Sequence, residues 1–564
     1  MTHRFGIAVL VYALAAAAFT WPMVLSPGGF FVTRQFDLWS TVWLAGEAPH
    51  IGLDFATWRT AWPDGQALGR VDSVLLLVLG RLLTPLIGAD GLIFAFLVLG
   101  PLVSALAAES AARTVVGARF PGSLVAGFVY GFSGVMLTAL LEGHVYFMLA
   151  PWLPLLARDF VRALRPGGPP RAGVWAGIWW LLSLLTSAYI GICATIVVLA
   201  ALLARPMGLK RVAPWAAAAV AGPAGLLYIV LFVVGGEVSR AAEGKGILPT
   251  LQAGSATLFS LASWAPGTDV HGHSISPTLG FGALAIAGVA PLLLPARMGW
   301  RPWAALGVLS AVGALGPVVD LWSMGRPLPG LWAPIARGTG EIFFHFPARL
   351  VWLSSLCLGF VAARVVSYLL KRGDRARALP LIAFAAMDGL VLAAPRARAD
   401  TVLTDVPSAY AAARPDGALL ELMPDFLGGA HDHELLMNNL TCAYQRAHGH
   451  TLLNTCIGVH TIETPRVRVG HWLAGRLLEG RTADLGPRLA ALGIGSVAVH
   501  PMLYTTGERT QILAGLEDAL GAPAARSVDA GDPVVLFQVP GPLASRAEAQ
   551  VAYAAITPIE GVSP

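Results

Sequence analysis

Residues 34–72 read RQFDLWSTVWLAGEAPHIGLDFATWRTAWPDGQALGRVD and form the first long polar stretch after the first apolar segment. Within it Leu38, Val42 and Trp43 share one helical face, which predicts an amphipathic helix opened by Asp37. Four tryptophans in the stretch are typical of a membrane–water interface. A carboxylate here is either simply solvated or faces a membrane cavity in which it does chemistry, and Asp64 is a second acid of the same loop.

The composition predicts a polytopic membrane protein. The chain has 564 residues, of which 56% are hydrophobic and 13% charged, and its mean hydropathy is +0.66. A soluble domain would carry about 25% charged residues. The net charge of +5 needs no nucleic-acid partner, because basic residues on the cytoplasmic side of a membrane protein give the same sum.

Eleven apolar segments are predicted to cross the membrane. One further segment, 73–88, is apolar but short, and it contains Arg81 and Pro85. The predicted spans are 5–25, 91–112, 121–140, 145–164, 173–189, 190–204, 213–235, 277–296, 302–320, 348–370 and 379–395.

The distribution of basic residues decides where 73–88 lies. If this segment stays in the outer interface, the arginine- and lysine-rich breaks all fall on the side of Arg4, which is the positive-inside pattern. We therefore expect an in-plane helix at 73–88, a cytoplasmic amino terminus and a carboxyl-terminal part outside the cytoplasm. The basic breaks are 113–119, 158–171, 205–211, 297–301 and 371–377.

The composition shifts near residue 397, which divides the chain into a transmembrane domain (1–396, with the first outer loop at 26–90) and a soluble domain (397–564). GALLELM, SVAVHP and PVVLFQVP predict strands, and GPRLAALGI and GERTQILAGLEDALG predict helices. The soluble part is thus a small periplasmic α/β domain. The charged cluster 431–434 is expected in a solvated loop. Cys442 and Cys456 form either a disulfide, if outside the cytoplasm, or two free thiols.

Further candidate residues lie at the ends of spans on the predicted outer side. Glu142 and His144 stand in LLEGHVYF, a very short turn in which ionisable residues are either functional or merely solvated. Arg349, in FFHFPARLVW, either snorkels to headgroups or binds phosphate, and the nearby His345 favours an anionic headgroup. Tyr189, in LLTSAYIG, belongs to a tight turn or contacts a sugar. Asp388 is an acid inside the last apolar segment.

Several stretches together carry a family resemblance: FDLWSTVWL, WPDGQAL, GFVYGFSGVMLTALLEGHVYFMLAPWLPLLARDFVRA, FFHFPARLVWLSSLCLGFVAA and LGIGSVAVH. With a first span, a long outer loop bearing an acid near its start, and in-plane helices, the chain resembles the GT-C superfamily. These are integral membrane glycosyltransferases that use polyprenyl-phosphate sugars. The likeness is to a bacterial, poorly characterised branch and spans most of the chain.

The resemblance implies a function and a set of roles. In the superfamily the acid of the first loop is the general base for the acceptor hydroxyl, and this role falls on Asp37. Some members carry a paired acid at this point, whereas this chain has a single acid between Phe36 and Leu38. Phosphate binding falls on Arg349, His144 and His345, and substrate contacts on Glu142, Asp64 and Tyr189.

The remaining partners follow from the same resemblance. A divalent cation, Mg²⁺ or Mn²⁺, is a possible cofactor, with Asp37 and Glu142 as its ligands. The donor is a polyprenyl-phosphate sugar, the acceptor a glycan, lipid or protein, and the location the bacterial cytoplasmic (inner) membrane. The alternative is a non-catalytic envelope protein or a transporter or flippase for lipid-linked glycans. Transporters typically show repeat symmetry and polar groups at the bilayer midplane, which this sequence lacks.

Overall fold

The computed structural model describes residues 2–21, 23–25, 29–31, 36–52, 56–67, 73–141, 143–204, 261, 279–315, 318–319, 328–329, 347–393, 401–403, 406–422, 431–453, 456, 465–529 and 532–555. These residues form a helical part, which ends with a helix at Ala393, and an α/β part, which begins with a strand at Thr401. The predicted boundary between 396 and 397 falls between these two elements and stays a prediction.

Helices and short strands make up the described helical part. All predicted spans except 213–235, which lies outside the described residues, overlap with helical segments. The helices are α1 (Thr2–Phe19), α2 (Phe36–Glu47), α3 (Val74–Val115), α4 (Leu124–Gly131), α5 (Gly134–Leu141), α6 (Trp152–Leu164), α7 (Pro170–Thr186), α8 (Ala188–Ala204), α9 (Phe281–Gly288), α10 (Ala290–Leu293), α11 (Arg301–Ala314), α12 (Val351–Lys371) and α13 (Arg375–Ala393). The strands are β1 (Gly29–Phe31), β2 (Ala56–Thr57), β3 (Gln66–Ala67), β4 (Val318–Val319) and β5 (Leu328–Pro329).

Two helical segments of the described chain are long and apolar enough to cross a membrane. They are Val74–Val115 and Ala348–Lys371, whereas the other apolar helices are shorter. The total number of spans therefore remains a prediction.

Helix α3 is divided at Gly88, whose φ of 74° and ψ of 165° interrupt the helical backbone. Glycine adopts this left-handed region without steric cost. The residues before the break pack on α2, where Thr84 Oγ1 donates a hydrogen bond to the Ala45 carbonyl oxygen at 2.8 Å. The sequence places its division between in-plane helix and span at this same point. The orientation of the first half relative to the membrane stays a prediction.

The core of the helical part is formed by α3, α4 and α12, and every residue of α4 is buried. Tyr12 of α1 reaches into it and donates a hydrogen bond to the Leu124 carbonyl oxygen at 2.9 Å. A Cβ atom at Gly127 would overlap with the Tyr12 hydroxyl oxygen. Small residues therefore permit the close helix packing that stabilises membrane bundles.

The α/β part is built on a four-stranded mixed sheet of order β7-β8-β10-β9, in which only the β7–β8 pair is parallel. The predicted strands and helices are present. Its strands are β6 (Thr401–Leu403), β7 (Ala418–Leu422), β8 (Ile494–Val499), β9 (Ala525–Ser527) and β10 (Val534–Gln538). Its helices are α14 (His431–His448), α15 (Pro465–Leu478), α16 (Leu485–Ala491), α17 (Thr506–Leu520) and α18 (Arg546–Ala555).

The expectation of a loop at 431–434 is wrong, because these residues open helix α14. Helix α14 is polar in sequence and lacks the apolar signal that marks the spans. Its buried side is covered by α2, which is about four hundred residues away in sequence and leaves no local trace. The structure also joins Cys442 of α14 to Cys456 by a disulfide, with 5.5 Å between the Cα atoms.

The two parts of the molecule are held together by polar and backbone contacts. Strand β1 pairs antiparallel with β6. Arg446 of α14 lies 3.2 Å from a carboxylate oxygen of Asp90 on α3. The Trp62 indole donates to the Leu492 carbonyl oxygen at 3.1 Å. The α/β part is therefore docked on the first loop.

Candidate functional site

Helix α2, which carries Asp37 as its second residue, is enclosed by other elements. Leu38, Val42 and Trp43 are buried, as the predicted amphipathic face requires. Trp39 and Leu44 are buried as well, so the helix has no fully exposed side at its centre. The reason is that α3 and α14 both pack against it.

The first turn of α2 lies directly on the turn between α5 and the following 3₁₀ helix (Val145–Met148). A Cβ atom at Gly143 would overlap with the Leu38 backbone nitrogen. The Thr41 hydroxyl donates to the Gly143 carbonyl oxygen at 3.4 Å. Gly143 itself has a φ of 72°, a conformation that favours glycine. The backbone of Gly143 therefore contacts the backbone of Leu38. Asp37 directly precedes Leu38, and His144 directly follows Gly143.

His144 meets Arg349 across this turn. The Arg349 Nη2 atom lies 3.4 Å from His144 Nε2. The Arg349 guanidinium lies over two aromatic rings, with its central carbon 4.2 Å from the centre of Tyr189 and 4.7 Å from that of Phe147. Such cation–π contacts stabilise a guanidinium and fix its plane. His144 and Arg349 remain half-buried, so the pair can reach a ligand.

The structure thus brings together three of the predicted site residues, His144, Tyr189 and Arg349, beside the backbone of the first turn of α2. Three others cannot be placed in this geometry. The Asp37 side chain lies outside the described residues, and so do Glu142 and His345.

Asp64 has a different environment from the residues around Arg349. It is exposed and accepts a hydrogen bond from Gln550 of α18 at 3.3 Å. Arg546 of α18 lies over the ring of Trp58 in the same loop, 3.6 Å from its centre, and donates to the Pro63 carbonyl oxygen. The loop around Asp64 therefore attaches the α/β part to the helical part.

Glu47, at the end of α2, is a buried acid that sequence reasoning did not single out. It accepts hydrogen bonds from Thr57 Oγ1 at 2.5 Å and from Arg59 Nη1 at 2.9 Å. Burial raises the pKa of the Glu47 carboxyl, against the lowering effects of Thr57 and Arg59. Its partners come from the same loop, so Glu47 anchors that loop on α2.

Asp388, the predicted intramembrane acid, supports a helix end. It is buried in α13, and its Oδ2 atom accepts a hydrogen bond from the Gly282 backbone N–H at 3.0 Å. A carboxylate at a helix amino terminus satisfies an orphan N–H and complements the helix dipole. This contact gives Asp388 a structural role at the start of α9.

The predicted metal ligands, Asp37 and Glu142, have side chains outside the described residues. Among the side chains that the structure does describe, no three carboxylate, imidazole or thiol groups come together as a metal site. The cation therefore stays a prediction.

Sequence reasoning missed Phe147, Gly143 and Gln445. Phe147 forms half of the aromatic platform under Arg349, and its signal was the run of aromatic residues after His144. Gln445 accepts from the Trp43 indole N–H at 2.8 Å and donates to the Arg59 carbonyl oxygen at 2.5 Å. No local pattern marks Gln445, because Trp43 and Arg59 are about four hundred positions away from it in the sequence.

Comparison with solved structures reveals the fold to which this arrangement belongs. No family model matches the chain, and no curated protein matches it. The arabinofuranosyltransferase AftD from Mycobacteria, a GT-C superfamily membrane glycosyltransferase, superposes with a TM-score of 0.54 at 16% identity over 96% of this chain. The chain has the GT-C fold. It covers 40% of the length of AftD.

Two other GT-C enzymes are similar at lower TM-scores. The oligosaccharyltransferase of Archaeoglobus fulgidus gives 0.48 at 12% identity, covering 92% of this chain and 71% of that one. ArnT from Cupriavidus metallidurans gives 0.47 at 14% identity, covering 93% and 97%. The superposition on AftD confirms, at the level of the fold, the resemblance found in the sequence, and the GT-C fold is that of polytopic membrane proteins.

Proposed function

We propose that this chain is a membrane glycosyltransferase that moves a sugar from a polyprenyl-phosphate donor to an acceptor hydroxyl at the outer face of the cytoplasmic membrane. Asp37 is the general base. Arg349 and His144 bind the donor phosphate, with His345 as a further contact, and Tyr189 and Glu142 line the sugar site. The acceptor is a glycan, a lipid or a protein.

One observation carries this proposal: a guanidinium and an imidazole lie 3.4 Å apart beside the turn that bears Asp37, within a GT-C fold. Arg349 is separated from Leu38 only by His144 and Gly143. A fixed, half-buried cation suits a phosphate that gains negative charge as it departs.

The reaction needs few protein groups. The acceptor oxygen forms a bond to the anomeric carbon while the bond from that carbon to the phosphate oxygen breaks, and the phosphate leaves with the electron pair. The hydroxyl proton goes to the Asp37 carboxylate. Direct displacement inverts the anomeric centre and needs no covalent intermediate, so a single carboxylate suffices. Arg349 and His144 stabilise the charge on the departing phosphate.

A divalent cation remains part of the proposal, with Asp37 and Glu142 as its ligands. Such an ion would neutralise phosphate charge. The roles given to Arg349 and His144 do not depend on it.

The test is the Asp37→Asn variant, assayed for transfer from a polyprenyl-phosphate sugar in membranes or detergent. Asparagine keeps the shape but cannot take the proton, so the rate should fall by about 10²–10⁴-fold. Asp64→Asn is the matched control from the same loop, because Asp64 contacts Gln550 on the α/β part. Its transfer rate should stay within about twofold of the unmodified protein.

Undiminished glycan product in Asp37→Asn, with normal expression, would refute the catalytic role. Retained donor binding with no product from any variant or from the unmodified chain would instead favour a non-catalytic envelope protein or a flippase.

A further inference from the structure

A second polar cleft lies between α6 and α7, away from His144 and Arg349. It encloses about 380 Å³. Three arginines, one aspartate and two tryptophans line it: Arg158, Asp159, Arg162, Arg171, Trp175 and Trp179. Its arginines and its aspartate belong to the basic break 158–171, which the positive-inside pattern assigns to the cytoplasmic face.

The cleft and the candidate transferase site lie toward opposite ends of α7. Arg171 is in the first turn of this helix, whereas Tyr189 follows shortly after its last residue. A 17-residue helix is about 25 Å long at 1.5 Å per residue. The cleft is thus a separate site, and its function does not rest on the proposed transferase.

Positive charge exceeds negative charge in this cleft. Asp159 is buried and is the single carboxylate of the lining. It accepts two hydrogen bonds from Arg158, at 3.0 and 2.7 Å, and one from Arg162 at 3.3 Å. Arg171 is exposed and has no partner within the described part of the chain. One carboxylate facing three guanidinium groups leaves two positive charges for a ligand.

The arginine N–H donors that Asp159 does not use suit a phosphate. A guanidinium has five N–H donors, and Arg162 uses one of them on Asp159. Arg158 is fixed by Asp159 and by Ser110, whose hydroxyl oxygen lies 3.2 Å from Arg158 Nη1. The cleft therefore combines one immobilised arginine with two that can close on a ligand, and arginine is the residue that matches phosphate geometry best.

The aromatic side of the cleft identifies the ligand as a lipid. Trp175 and Trp179 stack with ring centres 5.2 Å apart, and Trp179 stacks on Trp152 at 5.7 Å. The Trp179 indole N–H donates to Asp159 at 2.9 Å, whereas Trp175 is 47% exposed. An exposed indole beside arginines is typical of the headgroup level of a bilayer.

The neighbouring helix presents an apolar surface for acyl chains. Leu199 and Leu203 of α8, which packs on α7, are 54% and 83% exposed. Basic pockets between transmembrane helices on the cytoplasmic side bind anionic headgroups. A soluble phosphate would use the arginines but not the tryptophan face or this leucine surface.

We propose that the α6–α7 cleft binds the phosphate of an anionic phospholipid of the cytoplasmic leaflet. Arg162 and Arg171 contact the phosphate oxygens, with Arg158 held behind them by Asp159. Trp175 lies along the glycerol backbone and the start of the acyl chains.

The test uses the full chain in detergent, titrated with phosphatidylglycerol and with phosphatidylcholine, with bound lipid counted by native mass spectrometry. Arg162→Gln/Arg171→Gln should bind phosphatidylglycerol about 25-fold more weakly, from about fivefold for each arginine. Arg375→Gln/Arg377→Gln is the matched control. It removes two exposed arginines of the same predicted face and should change the affinity by less than about twofold.

Two other results would overturn the proposal. The first is equal binding of phosphatidylglycerol by the Arg162→Gln/Arg171→Gln variant and the unmodified chain. The second is binding of soluble glycerol 3-phosphate as tight as that of the lipid, which would make the cleft a site for a free phosphate ester. Because both altered arginines are half-exposed or exposed, the variant should fold, and its thermal unfolding in detergent provides the check.

Discussion

At the scale of single residues, Arg349 is the cation around which the proposed donor site is arranged. Its guanidinium lies over Tyr189 and Phe147 and meets His144. Tyr189 and Phe147 fix the plane of the group, and its planar fork of N–H donors matches the geometry of a phosphate. Sequence alone left open whether this arginine snorkels to headgroups. Its position against His144 and two rings favours a defined binding role.

Two replacements of Arg349 should separate the effect of its positive charge on activity from the effect of its planar shape. Arg349→Gln is expected to lower kcat/KM for the donor by about 10–100-fold, because charge-assisted hydrogen bonds contribute about 1.5–3 kcal/mol. Arg349→Lys keeps the charge but loses the planar fork. Its activity should therefore fall between that of the unmodified protein and that of Arg349→Gln. Steady-state kinetics with a polyprenyl-phosphate sugar measures both.

Arg372→Gln is the control for this pair, because it removes an exposed arginine just past the far end of α12. Full activity in Arg349→Gln, or an equal loss in Arg372→Gln, would contradict the phosphate-binding role.

Gly143 offers a test of the contact between the two halves of the site. Gly143→Ala should be destabilised by about 1–2 kcal/mol from its positive φ, and by about 1–3 kcal/mol more from the overlap with Leu38. The displaced turn should carry His144 away from α2 and lower transfer. Thermal unfolding and transfer assays report the two effects.

Gly373→Ala is its matched control. Gly373 has a φ of 81°, and apart from its sequence neighbours no heavy atom of the described residues lies within 4 Å of the place that an alanine Cβ would occupy, so it bears the backbone strain without the overlap. If both alanine variants lose activity equally, the Gly143–Leu38 contact does not contribute to transfer.

At the scale of elements, α2 is the helix that connects the α/β part to the site. It packs against both α3 and α14. Its polar anchor is Gln445, which bonds to Trp43 and to the Arg59 and His450 carbonyl oxygens. A catalytic side chain must be held to within a fraction of an ångström. The docking of α14 therefore affects chemistry that takes place on another part of the chain.

Gln445→Leu should loosen this helix. The change removes the partner of the buried Trp43 N–H and of the His450 carbonyl oxygen, and each such group costs about 1–3 kcal/mol, whereas the Arg59 carbonyl oxygen keeps its bond from the Leu452 N–H. We expect faster hydrogen exchange across residues 36–47 and a reduced transfer rate. Hydrogen-exchange mass spectrometry of the full chain measures the first effect.

Gln550→Leu supplies the comparison, because Gln550 makes an exposed hydrogen bond to Asp64 at 3.3 Å. Unchanged exchange in α2 of Gln445→Leu would show that α14 does not hold the helix.

At the scale of the whole molecule, the α/β part contains a buried charge cluster centred on His500. Its Nε2 atom lies 3.0 Å from Glu421, and its Nδ1 atom lies 3.0 Å from Asp532. Burial lowers the pKa of His500, but the hydrogen bonds and charges of Asp532 and Glu421 outweigh it and raise the pKa to about 10. His448 is the opposite case, because burial lowers its pKa to about 3.

These two histidines predict how the stability of the α/β part depends on pH. The stabilisation from His500 is complete below its unfolded pKa of about 6.5 and is lost as the pH rises toward about 10. His448 is neutral when folded, so its contribution is present above about pH 6.5 and is lost as the pH falls toward about 3. Stability should therefore be greatest near neutral pH, falling by more than about 1.4 kcal/mol on the alkaline side.

Thermal unfolding of the full chain between pH 5 and 10, followed by near-ultraviolet circular dichroism, measures this profile. His500→Gln should remove most of the loss of stability that occurs as the pH rises toward about 10. It should also lower stability at neutral pH, because Glu421 and Asp532 lose their cation. If His500→Gln loses as much stability as the unmodified chain when the pH rises, other groups cause the pH dependence.

The sequence by itself determined the class of the molecule and most of its helices, because apolar runs and turn residues are local signals. It also located the break at Gly88, the helix opened by Asp37 and the principal strands of the α/β part. The polar helix α14 was missed, and the disulfide between Cys442 and Cys456 stayed open, since both depend on partners that short-range patterns do not record.

Only the tertiary structure decided which candidate residues share a site. It joined His144, Tyr189 and Arg349 and gave Asp64 to the contact between the two parts of the chain. The physical reason is that the side chains in contact, such as His144 and Arg349, are about two hundred positions apart in the sequence. Their distances are set by how α5, α8 and α12 pack and not by any spacing along the chain.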